Sequence, residues 1–374
     1  MLLTNIWYIA EWSENVTDKP VKSRMLGRDF VLFRDSAGKA VCLSNTCCHR
    51  GASLSQGKCQ EDGTLSCPFH GWRFNAEGRC TTIPSAADPS GELPAAARVD
   101  SYPVQDRHGL LWVFLGDRTD EAHALFDMPE DTDPAWRKVT HTDTWKTNIH
   151  WMKMVDLDQV HLHIVHGIPL NEENPSRPSA HTVEFIDNGF RTHLVSYPPP
   201  RGGAWAQMRP ERTSVNSHLT FYVPGFTLYG RVQIGTPEFC NVFYSMSTPV
   251  DEDNTKLYFI AFRNFMLEPE KDKDHLERNL RNVYQDKAIA EGHFPRRAPD
   301  VPEWPAINID REDLLMQTYW QLMRQLRAKG WQLDRLKLDE LDRSGDPRVI
   351  PSPARRADPA NWVYRTVPLV APGP

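Results

Sequence analysis

The sequence predicts an α+β protein in two parts, a β-rich N-terminal unit followed by an antiparallel sheet with helices. Three observations carry this. Short β-branched and aromatic runs alternate with Gly and Asp turns through the first third. Five longer runs of alternating polarity follow, the pattern of a sheet with one buried face. Helical patterning is confined to residues 151–166, 268–292 and 310–330.

In order along the chain, residues 29–33 and 40–43 read as strands bracketing the turn 35–38, and 72–74 runs into a turn at Gly78. Residues 102–104 and 109–116 close the first unit, and a charged stretch at 117–121 marks the boundary. We therefore place one domain at 1–118 and a second at 119–374. In the second, a helix over 151–166 stops at Gly167 and Pro169. Residues 171–179 and 198–203 are loops; 190–197, 218–223, 227–234, 241–247 and 256–262 are the sheet strands. The Pro-rich end of the chain is expected to be irregular and to wrap the body.

Composition limits the function classes. A chain of 374 residues with 25% charged residues and a net charge of −6 predicts a soluble globular protein of two or three compact units. It has no basic stripe, so no nucleic-acid partner is expected. No apolar run approaches a membrane span, and the N-terminus lacks the basic and apolar regions of a signal peptide. The seven cysteines show no framework spacing, which fits a reducing cytoplasm.

Two segments carry chemistry. Cys47-Cys48-His49-Arg50-Gly51 and Cys67-Pro68-Phe69-His70-Gly71-Trp72 present C-x-H and C-x2-H on two loops. Two thiolates and two imidazoles can hold zinc, or a Rieske [2Fe–2S] cluster in which the thiolates take one iron and the imidazoles the other. The flanking glycines favour iron, since they would let backbone amides approach the bridging sulfides. Cys48 lies between two ligands and reads as a spectator open to oxidation. A second constellation is Asp158, His161 and His166, spaced D-x2-H-x4-H. Two histidines and a carboxylate on one face of an iron form the facial triad of non-haem Fe(II) oxygenases. Residues five apart lie about 140° apart on an α-helix, so His161 and His166 meet only if the helix ends or takes a π-turn between them. His163 reads as a packing or hydrogen-bonding residue.

Together these segments resemble the Rieske non-haem iron oxygenases, with "CxHRGAxLSxG" and "CPFHGW" both complete. Ala52 and Phe69 stand where respiratory Rieske proteins carry disulfide cysteines. The resemblance implies Cys47, His49, Cys67 and His70 as cluster ligands and His161 and His166 as iron ligands. It makes Asp158 the carboxylate that bridges to a cluster histidine of a neighbouring subunit in a homotrimer. The third iron ligand is expected at Asp286, in a segment resembling "(E/Q)DxxI…P", with Asp313 and Asp310 as alternatives. The chain departs from the family at 154–157, where Met-Val-Asp-Leu replaces a frequent Glu-Asn; that role is absent or supplied by Asp156 or Asn148. The fold implied is a Rieske domain plus a helix-grip-like catalytic domain.

By the same resemblance the cofactors are a [2Fe–2S] cluster and mononuclear Fe(II), with O2 as co-substrate. No G-x-G-x-x-G follows a strand, so electrons are expected from a separate NAD(P)H-dependent flavin and iron–sulfur reductase, with or without a ferredoxin. Residues 5–10, Asn-Ile-Trp-Tyr-Ile-Ala, resemble the "NxWYxA" of single-subunit-type hydroxylases and demethylases. The leading expectation is a terminal oxygenase that monooxygenates a small aromatic or heterocyclic substrate. cis-Dihydroxylation is the alternative, and a non-catalytic electron-transfer protein is the rival of another class. Phe221, Tyr222, Phe226, Tyr229, Phe243 and Tyr244 either line an aromatic pocket or form ordinary core.

Overall fold

The computed structural model describes residues 1–179, 181–198, 214–298, 309 and 312–373. The chain forms two compact units, Met1–Ala122 with Leu326–Pro374, and His123–Gln325. The first is built from β1 (Ile6–Trp12), β2 (Val21–Met25), β3 (Arg28–Arg34), β4 (Ala40–Ser44), β5 (Lys58–Cys59), β6 (Leu65–Ser66), β7 (Arg73–Phe74), β8 (Cys80–Thr82), β9 (Ser101–Tyr102), β10 (Val104–Arg107) and β11 (Leu110–Leu115). They form three small sheets, ordered β1-β11-β10, β2-β3-β4-β9 and β5-β6-β7-β8. Strands β4 and β11 are buried along their whole length, which is why both read as unbroken apolar runs. The turn between β3 and β4 forms because the Asp35 carboxylate accepts the amides of Ala37 and Lys39 and Gly38 supplies a φ of +77°. Val31, Phe33, Val41 and Leu43 form a core against which Cys47, Leu54, Leu65, Cys67 and Phe74 pack. At about 1.5–3 kcal/mol per buried large apolar side chain, this core fixes the two cysteine loops.

The second unit contains β12 (Arg137–Trp145), α1 (Ile149–Leu157), α2 (His161–His166), β13 (Val183–Ile186), β14 (Gly189–Ser196), β15 (Val215–Tyr222), β16 (Thr227–Ile234), β17 (Thr236–Pro249), β18 (Thr255–Arg263), α3 (Asp272–Glu291) and α4 (Leu314–Ala328). Its seven-stranded antiparallel sheet has the order β12-β18-β17-β16-β15-β14-β13. The five expected strands are β14 to β18; β12 and β13 extend both edges. Helix α3 lays Leu276, Leu280, Val283 and Ala290 over Val139, Phe243, Phe259 and Ala261 of the sheet, joined by Met152 and Val155 of α1.

The expected single helix over 151–166 is two. Helix α1 stops at Asp158, whose ψ of 131° is extended, and α2 begins at His161. Contrary to expectation, neither a helix end nor a π-turn separates the two histidines: they are the first and last residues of one short helix, their rings reach to 3.2 Å of each other, and Gly167 closes the helix at φ +65°.

Residues 326–374 pack with the first unit, whereas the sequence boundary at 118/119 assigned them to the second. The Thr4 amide bonds the Trp331 carbonyl at 2.8 Å and Leu3 bridges Gln332, a pairing no local pattern encodes. This stretch is also less irregular than expected, with α5 (Arg335–Ser344), β19 (Arg348–Val349), α6 (Pro353–Ala357) and β20 (Arg365–Thr366). Asp334 caps α5 through the Lys337 amide and Gly345 ends it in the left-handed conformation.

Candidate metal centres

The two cysteine loops share one backbone frame. In each, the cysteine amide donates to the carbonyl five residues on, Cys47 to Ala52 at 2.9 Å and Cys67 to Trp72 at 2.8 Å. In each, the glycine four residues on returns a bond to the cysteine carbonyl, Gly51 to Cys47 at 2.9 Å and Gly71 to Cys67 at 3.1 Å. Both glycines need a positive φ, +74° and +69°. C-x-H and C-x2-H are thus two ways of seating a histidine in the same turn. The glycines' own amides close the turns. The backbone amides aimed at the thiols come from His49 and Arg50 for Cys47, and from Phe69 and His70 for Cys67.

Cys47 is held at about 6, chiefly by a bond from Cys48, and the backbone amides add to this against the opposing effect of burial. Cys48 is pushed up by the same contact and by burial. The His49 ring stacks on Trp72 at 4.5 Å and meets His70 edge-on at 4.7 Å. His49 Nδ1 is buried with no hydrogen-bond partner, which suits a nitrogen that ligates. Four ligands at about 2.0–2.3 Å from one zinc would all lie within roughly 4.6 Å of each other. Among the described residues, only His161, His166 and Asp286 bring three such ligand atoms within 4.8 Å. The loop quartet is more widely spread, as two irons require and one zinc does not.

In the second unit, His161 Nε2 and His166 Nε2 lie 3.2 Å apart. Asp286 Oδ1, from α3, is 3.4 Å from the first and 3.0 Å from the second. The Asp286 oxygen is buried with no hydrogen-bond donor of its own. His166 Nδ1 meets Gln285 Oε1 at 2.9 Å; donation to that oxygen leaves the Nε2 lone pair facing its neighbours. Such a convergence of lone pairs suits a divalent metal. Burial works against a charged His161, but Asp158 and Asp286 outweigh it and lift the imidazole to about 9. A metal taking that nitrogen must displace the proton. Burial would raise the Asp286 carboxyl, but the two neighbouring imidazoles hold it below its ordinary value.

Asp158 sits in the break between α1 and α2. Its Oδ1 accepts the His161 amide at 3.1 Å and stands 3.9 Å from His161 Nδ1, within Coulomb reach but too far for a hydrogen bond. The side chain is 40% exposed. Of the alternatives to Asp286, Asp313 spends its carboxylate on the Ile309 amide before α4, and Asp310 lies outside the described residues, as does most of the loop at 198–203. His163 hydrogen-bonds Ser176. Asn148 caps α1 and binds Glu252, whereas Asp156 pairs with the fully buried Lys153 at 2.5 Å.

A cavity of about 500 Å³ opens on the histidine pair and Asp286. Of the six aromatic candidates only Phe243 lines it; Phe221, Phe226 and Tyr244 are buried in core, the first two against each other. Gly230 makes the Phe243 position possible, since a Cβ there would come within 2.3 Å of the ring. Sequence reasoning missed Gln285, although it directly precedes Asp286, and a polar group nearer the start of α3. There Arg263 bonds His275 Nδ1, His275 Nε2 meets Asn241 Oδ1 at 2.6 Å, and Asn241 bonds Asn279.

Residues 6–103 match the family described as Rieske [2Fe-2S] domain, and residues 150–327 match the vanillate O-demethylase oxygenase C-terminal domain. The toluene-4-sulfonate monooxygenase system iron-sulfur subunit TsaM1 of Comamonas testosteroni is 26% identical over 365 residues, 88% of this chain and 99% of that one. Methylxanthine N1-demethylase NdmA of Pseudomonas putida is 25% identical over 288 residues, 75% of this chain and 76% of its own. The structure of NdmA with caffeine superposes with a TM-score of 0.71 at 22% identity, over 86% of this chain and 90% of that one. Dicamba monooxygenase bound to dicamba gives 0.68 at 23%, over 86% and 96%. Two domain matches in tandem, one for each half of the chemistry, place this chain among the Rieske non-haem iron oxygenases, as an oxygenase component that uses a [2Fe–2S] cluster, a mononuclear iron and O2.

Proposed function

We propose that Cys47, His49, Cys67 and His70 hold the cluster, that His161, His166 and Asp286 hold the iron, and that the substrate lies in the cavity above them. The observation that carries this is the meeting of two imidazole nitrogens and one carboxylate oxygen at the wall of that cavity, His166 and Asp286 lying 120 residues apart in sequence. A bound cluster supplies electrons singly and the iron supplies the dioxygen chemistry. The protein's own groups do the rest. Gln285 fixes the His166 tautomer, the apolar walls around Leu219, Leu228 and Phe243 exclude water from a flat ring, and Asn241 and Asn279 offer hydrogen bonds to a heteroatom.

The reaction is monooxygenation, as hydroxylation or oxidative demethylation, of a small aromatic or heterocyclic compound. Relatives named as a monooxygenase system subunit and an N1-demethylase support that reading. Electrons come from a separate NAD(P)H-dependent flavin and iron–sulfur reductase. The active form is a homotrimer in which the half-exposed Asp158 carboxylate reaches a cluster histidine of the next copy, and the protein works in the cytoplasm. No described helix is long and apolar enough to cross a membrane.

The test is mass spectrometry of products formed under labelled dioxygen by the reductase-coupled protein, against methoxy-, N-methyl- and plain aromatics. One labelled oxygen, or formaldehyde with loss of a methyl, is expected. Two labelled oxygens on adjacent ring carbons would replace monooxygenation with dihydroxylation.

A further inference from the structure

The end of the chain reaches the first cysteine loop. The Tyr364 hydroxyl donates to the Cys47 carbonyl at 2.9 Å, the same oxygen that accepts the Gly51 amide. A Cβ on Gly51 would stand 3.6 Å from that hydroxyl, whereas the matching position on Gly71 meets the Pro84 ring at 3.3 Å. Two turns with one backbone frame are therefore covered differently, one by a hydrogen-bond donor and one by a hydrocarbon.

The segment bearing Tyr364 is firmly fastened. Arg355 binds both oxygens of buried Asp100, at 2.6 and 2.8 Å, and the Tyr364 carbonyl at 2.9 Å. The Trp362 ring is gripped by two guanidiniums, Arg98 at 3.8 Å and Arg355 at 4.2 Å. Arg98 also bonds the Asp358 carboxylate and the carbonyls of Ala360 and Asn361. Strand β20 then pairs in parallel with β19. All of these residues belong to one compact unit, and the segment lies outside both stretches that match known domains.

We propose that Tyr364 is a positioning residue for the cluster: its hydroxyl holds the Cys47 turn and raises the cluster's reduction potential. The inference rests on Cys47 being a cluster ligand. The negative end of the Cys47 carbonyl dipole opposes an electron added to the cluster that Cys47 would help to hold. A donated O–H offsets that dipole, and Rieske potentials respond to hydrogen bonds and solvent exposure around their ligands.

The experiment is a redox titration followed by circular dichroism on the full chain, comparing wild type with Tyr364→Phe, which removes one oxygen and keeps the ring. Iron and sulfide content should stay at wild-type levels while the one-electron reduction constant falls several-fold; tenfold corresponds to about 59 mV. Trp362→Leu, which loosens the segment and leaves the hydroxyl in place, should shift the potential in the same direction by less. A wild-type potential in Tyr364→Phe overturns the proposal, and so does loss of the cluster in that variant, which would make the ring structural. Cys47→Ser separates the two levels of inference. It should lose the cluster; a full cluster in Cys47→Ser would remove the ligand assignment and the tuning role together, whereas an unmoved potential in Tyr364→Phe removes only the latter.

Discussion

The cysteine loops and the histidine helix build their metal sites by opposite means. Each loop is a self-contained backbone device: a cysteine, an amide-to-carbonyl frame, and a glycine at φ near +70° that closes it. Its cysteine and histidine sit within one turn, so each half of the site is shaped locally and the shared core brings the two halves together. The helix α2 supplies only two of the three proposed iron ligands. The third, Asp286, arrives on α3 because Leu276, Leu280 and Val283 seat that helix on the sheet. A loop site is encoded locally, whereas the helix site depends on tertiary packing.

Removing a ligand from the packed site should therefore leave the loop site untouched, and this gives the largest expected effect. Asp286→Ala removes the only anionic member of the triad and should cost turnover on the order of 10³-fold. Mononuclear iron content should fall with it, while the visible and circular dichroism signature of the cluster stays intact. Loss of the cluster signature in Asp286→Ala would show the two sites to be folded as one and break the comparison.

Asp158→Asn sharpens it at the next level. The side chain touches His161 through its backbone amide alone, and an asparagine oxygen can keep that bond. Both metals should be retained while turnover falls roughly 10–100-fold, as for other partners of metal ligands. The reading that Asp158 bridges to a second copy requires the loss to appear in electron transfer to the iron. Stopped-flow reoxidation of the pre-reduced cluster measures that directly, and a normal reoxidation rate would remove the bridge.

The same contrast explains what was legible in the sequence. The two cysteine turns could be read because Cys, His and Gly recur inside two short segments, and the α+β class because β14 to β18 alternate in polarity. Asp286 could not be separated from Asp313 by spacing. Each is an acid in a helical segment, and the difference is where the helix packs: Asp286 faces two imidazoles, and Asp313 satisfies the Ile309 amide. The 140° separation of His161 and His166 led to an expected interruption between them, whereas the break falls before both, at Asp158. The aromatic strand residues could not be divided between pocket and core, because alternation fixes which residues share a face, not which face looks onto the cavity. Residues 326–374 were assigned to the wrong partner in space for a related reason: Trp331, Arg355 and Tyr364 find their contacts hundreds of residues away, with no local pattern to announce them.

The smallest effect concerns the support behind the iron site. Asp272, the first residue of α3, binds Arg137 and the fully buried Arg263, each at 2.7 Å. Arg263 in turn bonds His275, whose other nitrogen meets Asn241 at the cavity wall. Arg137 acts first in holding the Asp272 carboxyl below its ordinary value of 3.8; burial opposes it and Arg263 reinforces it. The folded state thus favours the charged carboxylate. Its contribution is fully present above the unfolded value and is lost as pH falls through the lowered one. Asp272→Asn should cost about 2 kcal/mol at neutral pH, less than a lone buried charge would, because Arg263 keeps the Met266 and Glu268 carbonyls. Thermal unfolding followed from pH 7 downward should show the gap between wild type and variant narrowing below about pH 4. A gap that persists in acid would mean that Asp272 acts through the shape of the α3 terminus instead of its charge, and the packed site would then owe its third ligand to helix seating alone.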